Sequence, residues 1–465
     1  MPDRKPKIGI LGIMQDLYDD FIPDIAARQA GYAREIAGHL ADVAEFIPSE
    51  PIKYREEAEL AMRQFEDDKL DGVMVVMLTY GPAMRVARLL ADTPLPILLA
   101  NIQPDPAVTP AWDMADMTYN QGVHGAQDTA NAMVRAGRAF AVLTDDWRSE
   151  QFRAGVDRFA RAAAAVTAWK SLKVAIFGYA MNDMGDIRVD ENALIRSLGP
   201  EILAVAQGDL YRGMLKVTRG QIDEVIAFED ERFEIDPALS ADERADHARM
   251  QVAIKHILDT GGYGAYTAHF DAIGEDGRFD RLPLAAASTL MAEGYGYAAE
   301  GDVLTACLVS AGHVLIGDAH FTEMYAMDFP TDSVLMSHMG EGNWKIARAD
   351  RPVQLIKRPL GIGHLADPPT FLFQYQPGPA TLATLVSLGG ERFRLVVAEG
   401  ENLDSQELPA LQMPYGQFRP NTGVRACLDA WLTAGGPHHE VMNLGRHAAS
   451  WKVFCQLTGI EYVQV

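Results

Sequence analysis

The stretch AEGYGYAAEGD, residues 292–302, sets Glu293, Glu300 and Asp302 among glycines and tyrosines, directly before the apolar run VLTACLVSAGHVLI. Acids on a glycine-rich approach to a buried segment have two uses. Asp302 is placed to N-cap a helix beginning at Val303, where Glu300 would gain from the macrodipole. A carboxylate so held can equally reach into a cleft. Further along come Glu323 in FTEMYAMDF, His338 in LMSHMGEGN, and His438 and His439 in AGGPHHEV, each among glycines or aromatics rather than on a charged helix face. Carboxylates and imidazoles form a hard-to-borderline donor set, suited to Mn²⁺, Co²⁺ or Mg²⁺ and too poor in thiolate for structural zinc. The steps from Glu300 to Glu323, to His338 and to His439 are 23, 15 and 101 residues, which match no local metal motif. Taken singly, each histidine reads as structural; together they make a metal site plausible.

Such a set has to be positioned by the fold. The first third alternates short apolar runs, KIGILGI (7–13), GVMVVML (72–78), LPILLANI (95–102) and AFAVLTD (139–145), with the helical patterns IPDIAARQAGYAREIAGHL, YREEAELAMRQFEDD and GPAMRVARLLAD. This βαβ series predicts a doubly wound parallel sheet, with ligands beyond the carboxyl ends of its strands. Gln15 to Tyr18, Thr79 to Pro82 and Asn101 to Gln103 fall there. A second αβ unit starts at SLKVAIFG (171–178) and carries an acidic, solvated helical surface around AFEDERFEIDPALSADERADHARM. From residue 319 the texture changes to strands and turns, which predicts antiparallel β, closed by a helix near LGRHAASWKVFCQLTG and a strand at IEYVQV. The expected α/β architecture has three domains: an N-terminal doubly wound parallel αβ domain (1–170), a central αβ domain with the first candidate glutamate (171–318) and a mainly antiparallel β domain with the other candidates (319–465).

Composition narrows the function. The 465 residues carry a net charge of −23, a field that repels phosphate backbones and anionic membranes, so neither nucleic acid nor membrane is an expected partner. Neither GxGxxG after the first strand nor GxxxxGK[ST] occurs, which removes the usual nucleotide cradles and favours a polar, uncharged ligand. Cys307, Cys427 and Cys455 are far apart and odd in number, reading as buried thiols in a reducing compartment. With no signal-like or membrane-length apolar run, a cytoplasmic location is expected.

Seven segments in order resemble the L-arabinose isomerase family. MQDLYD is similar to its QxLY, NQGVHGAQ to NQxxHG, GYGYAAEGD to GYGFxxEGD, FTEMYAMDF to FMEDYTYxF, MSHMGE to GSHMLE, PLGIGHLADPP to HLGIGGKxDP and AGGPHHEV to AGGAHHTV. The resemblance implies an aldose–ketose isomerase with Mn²⁺, or Co²⁺ or Mg²⁺, held by Glu300, Glu323, His338 and His439. The two glutamates would double as acid and base around an enediol. It implies substrate contacts at Gln15, Leu17, Tyr18, Met181, Phe270 and Ile362, and a homo-oligomer, a hexamer, in which His124 serves a neighbour's site. Without it, Leu17, Met181, Phe270 and Ile362 would read as core.

The chain departs from the family pattern where Val303 and Leu304 replace Trp-Lys, where Asn101 and Ile102 replace His-Thr, and where His364 ends GIGH. Those changes leave the sugar open: L-arabinose or a related pentose or hexose. The alternatives are an isomerase or epimerase of a different or modified sugar on the same scaffold, and a non-catalytic sugar-binding or regulatory protein.

Overall fold

The computed structural model describes residues 4–465, which form two compact units. One runs to residue 167 and includes 449–459; the other comprises 168–448 and 460–465.

The N-terminal unit is built on β1 (Lys7–Ile13), β2 (Glu45–Pro48), β3 (Gly72–Met77), β4 (Ile97–Asn101) and β5 (Ala141–Thr144), all parallel in the order β2-β1-β3-β4-β5. β1 and β3 are almost continuously apolar because both faces are covered. Ile8, Ile10, Met74 and Val76 meet Tyr32 and Ile36 of the helix Ile25–His39 on one face. Leu11, Val73 and Val75 meet Met62 and Phe65 of Arg55–Asp67 on the other. β2 is not anticipated in the sequence. It is a four-residue, partly exposed edge strand with no clear alternation. The segment expected as one helix at 81–92 divides into a 3₁₀ turn, Ala83–Arg85, and a helix, Ala87–Asp92. The late helix Ala448–Thr458 sets Val453 and Leu457 against this unit's core.

Strand order reverses between β1 and β3, the kind of switch point where open sheets receive ligands. There the Gln15 backbone N–H donates to Thr79 Oγ1 at 3.2 Å, and the rings of Tyr80 and His124 stack 4.6 Å apart.

The second unit holds β6 (Lys173–Phe177), β7 (Glu201–Val205), the two-residue β8 (Glu234–Ile235), β9 (Ala265–Ala268) and β10 (Gly296–Ala299). Four of these form a parallel sheet, β10-β9-β6-β7. Then follow β11 (Ala319–Asp328), β12 (Ser333–Ser337), β13 (Gln354–Lys357), β14 (Pro369–Leu372), β15 (Gly378–Ser387), β16 (Phe393–Asn402), β17 (Tyr415–Pro420), β18 (His439–Leu444) and β19 (Glu461–Gln464). Strands β15-β18-β11-β12-β17-β16 are antiparallel, and pairing of β16 back to β15 closes them into a six-stranded barrel. β19 adds to β16 in parallel, and β14, β13 and β8 make a small side sheet. The helix Val303–Leu315 is buried on nearly every side, as its largely apolar sequence demands, between β9 and β10 on one hand and β11 and β18 on the other. Among the described residues no helix is long and apolar enough to cross a membrane.

Alternation along β11 sends Phe321 and Glu323 to one face and His320 and Thr322 to the other. His320 is fully buried, its Nδ1 accepting the Asn343 backbone N–H at 3.0 Å and its ring 4.5 Å from Tyr375. Burial, helped by the charge of His338, pushes its pKa from 6.5 down to about 3. The unfolded chain takes up this proton below about pH 6.5 and the folded chain does not until about pH 3, so stability present above 6.5 is lost as pH falls through that window. The expected loss from this one group is about 2 kcal/mol by about pH 5. His320→Asn, which keeps an acceptor near Nδ1, should lower stability at pH 7 yet flatten its decline toward pH 5. Urea midpoints at both pH values check this; parallel declines in parent and variant refute it.

Candidate metal centre

β10 ends at Ala299, and the chain turns at once into the buried helix. Glu300 makes the turn with φ +62°, a left-handed conformation uncommon for a residue with a Cβ, and Gly301 follows at φ +80°. A Cβ on Gly301 would sit 2.4 Å from the backbone of Tyr179 and Ala180, so only glycine fits. The turn is held by Glu300 N–H to Ala268 O at 3.0 Å, Gly301 N–H to Thr267 Oγ1 at 3.0 Å and Met181 N–H to Glu300 O at 2.8 Å. This answers to the pattern of strained residues at working sites.

Sheet register supplies the rest. Glu323 on β11 pairs across to His439 on β18 and to Ser337 on β12, and His338 follows Ser337 directly. Phe321, two residues before Glu323 and on its face, presses its ring on both imidazoles, 4.5 Å from His338 and 4.8 Å from His439. His439 Nε2 stands 3.5 Å from Glu300 Oε2 and 3.3 Å from Glu323 Oε1; His338 Nε2 is 4.0 Å from Glu323 Oε2. His438 joins them, its Nε2 3.6 Å from each glutamate. Two overlapping donor triads result, Glu300–His438–His439 and Glu323–His338–His439, with His439 common to both.

A carboxylate holds the far nitrogen of every imidazole. His439 Nδ1–H donates to Asp302 at 2.8 Å, His338 Nδ1–H to Glu341 at 2.7 Å and His438 Nδ1–H to Asp186 at 2.7 Å. Glu341 also accepts the Tyr297 hydroxyl at 2.8 Å. Such partners fix the ring and leave Nε2 as the donor, the usual support of a metal-bound histidine. Asp302 does this while capping the helix, accepting Thr305 N–H at 3.0 Å, so its reading as a cap is right and incomplete.

The electrostatics follow. Burial alone would depress His439, but hydrogen bonds to Asp302 and Glu323 and their charges raise its pKa to about 10. Burial alone would raise Glu323, yet its bond to His439 and the charges of both imidazoles bring it down to about 2. The carboxylates converge on a point that favours positive charge. Glu300 Oε2 and His338 Nε2 are buried without a hydrogen-bond partner, and buried polar atoms are rarely left so. Two carboxylates and two or three imidazoles, aimed at one point with atoms to spare, fit a borderline divalent cation.

Of the substrate-contact candidates, Met181 backs the Glu300 turn, while Phe270 and Ile362 line a cleft together with Glu300 and His338. Gln15, Leu17, Tyr18 and His124 belong to the N-terminal unit, at the carboxyl end of its sheet; Leu17 is half exposed. Among the departures from the family pattern, Val303 and Leu304 are buried in the helix's first turn and His364 is exposed; none of the three lines the cleft. Asn101 spends its amide on Thr144 Oγ1 at 3.0 Å.

Three family models match in sequence: the N-terminal domain of L-arabinose isomerase over residues 15–171, its central domain over 173–318 and its C-terminal domain over 318–461. The chain belongs to the L-arabinose isomerase family. It is therefore an enzyme of the aldose–ketose isomerase class, in a family that is generally metal-dependent, and a sugar substrate is implied. An L-arabinose isomerase of Klebsiella pneumoniae is 32% identical over 410 residues, 85% of this chain and 81% of its own. That of Clostridium beijerinckii is 30% identical over 407 residues, 86% of this chain and 82% of its own. L-arabinose isomerase 1 of Bacillus licheniformis is 29% identical over 408 residues, 86% and 81%.

Proposed function

We propose that this member of the L-arabinose isomerase family interconverts L-arabinose, or an aldose related to it, and the corresponding ketose through an enediol, with Glu300 and Glu323 as the acid and base. The observation that carries the reading is the facing pair of carboxylates, each within 3.5 Å of one imidazole nitrogen, His439 Nε2. Isomerisation needs no outside oxidant: a proton leaves C2 and returns at C1, while another passes from O2 to O1. One glutamate takes and returns the carbon-bound proton and the other moves the oxygen-bound one.

Glu300, Glu323, His338 and His439 would hold the cation, for which Mn²⁺ is the leading candidate ahead of Co²⁺ and Mg²⁺. When bound, it supplies a Lewis acid for the negative charge that develops on the two sugar oxygens. Gln15, Leu17, Tyr18, Met181, Phe270 and Ile362 are the proposed sugar contacts. His124 is proposed to serve a neighbouring subunit of a homo-oligomer, with a hexamer expected, in keeping with its exposed ring stacked on Tyr80.

The test is a panel of aldoses incubated with Mn²⁺-loaded protein in D₂O. The expected result is ketose carrying solvent deuterium at C1. Ketose without deuterium replaces the enediol by a direct hydride shift; sugar binding with no ketose from any aldose returns the chain to the sugar-binding alternative.

A further inference from the structure

We propose that the aldose converted here has an apolar end: a 6-deoxy sugar whose terminal methyl seats in the cleft beside the carboxylate–imidazole cluster. This rests on the isomerase reading above and says which members of the sugar class it applies to.

The chemistry of the cleft wall carries the inference. Glu300 and His338 share the lining of this cleft with six large apolar side chains, Phe270, Ile273, Leu282, Leu284, Leu360 and Ile362. Ile273, Leu282, Leu284 and Leu360 are buried. The only other polar side chains on the lining are Tyr297 and Glu341, and they are committed to each other at 2.8 Å and to His338 at 2.7 Å. A hydroxymethyl group placed against this wall surrenders its hydration and meets, besides the reacting groups, only the Tyr297–Glu341 pair already bonded to each other and to His338. A methyl group gives up nothing and covers apolar surface. C1 and C2 have to face the glutamates, so the far end of the sugar is the part sorted by the wall.

The experiment compares kcat/KM in pairs that differ only at C6: D-fucose with D-galactose, L-fucose with L-galactose, and L-rhamnose with L-mannose, under saturating Mn²⁺. In whichever configuration is turned over, the 6-deoxy sugar is expected to lead by about ten- to a hundredfold, the range a single group commands in an apolar pocket. Equal values, a lead for the parent hexose, or ketose from pentoses alone overturn the inference and leave the isomerase reading standing. Ketose from none of these sugars, nor from any pentose, brings down both.

Discussion

Glu300→Gln and Glu323→Gln are each expected to lower kcat by at least about 10² and up to 10⁴, the usual contribution of a positioned acid or base, with the fold unchanged. An amide keeps the shape of the carboxyl group but cannot take a proton or bring negative charge to a cation. Glu323 lies in the middle of a paired strand and contributes to the fold through backbone register, so losing its charge should cost the barrel little. Glu300 already adopts its left-handed turn with a full-length side chain, and glutamine asks nothing further of the backbone. Steady-state kinetics beside circular dichroism and melting curves check both variants. More than about a tenth of the activity in either one would assign the proton transfer elsewhere, on the same scale.

Metal affinity should rank the three histidines. His439 is the donor common to both triads, so His439→Ala removes a corner from each, whereas His338→Ala or His438→Ala breaks only one. Losing an outer partner of a ligand typically costs about 10- to 100-fold in affinity; His439→Ala should exceed that, and Asp302→Asn should fall within it. Chelation and dialysis followed by Mn²⁺ titration, read by calorimetry, give the order without reference to turnover. A His439→Ala protein that binds Mn²⁺ as tightly as the parent removes this cluster as the metal centre.

Much of this was legible along the chain, and what was not has physical reasons. Alternating apolar runs separated by amphipathic helices announce a parallel sheet because each pattern has one way to hide its apolar face. Glu300 could be picked out because glycines beside an acid and before an apolar helix signal a forced turn. The support of the imidazoles was harder. Glu341 is three residues from His338, but Asp302 and His439 are 137 residues apart and Asp186 and His438 are 252. No local period encodes such pairings; they follow from barrel closure and from the turn at Glu300. His438 was visible beside His439, yet adjacent strand residues normally point to opposite faces, and the approach of both rings to the glutamates, with centroids 4.0 Å apart, is set where β18 begins. β2 was missed because a short edge strand need not alternate.

Asp302 accepts the first turn of the helix Val303–Leu315 with one oxygen and the His439 ring with the other. Local opening of that helix and occupancy of His439 Nε2 are thereby a single linked equilibrium. Whatever withdraws electron density through the imidazole strengthens the Nδ1–H bond to Asp302 and holds that carboxylate in its capping pose. By reciprocity, whatever frays the first turn weakens the donor by the same free energy. The amide of Thr305 is thus a reporter, its hydrogen exchange slowing as the cluster fills, and a substitution in the middle of a buried helix, far from any sugar, can change the ion's residence time.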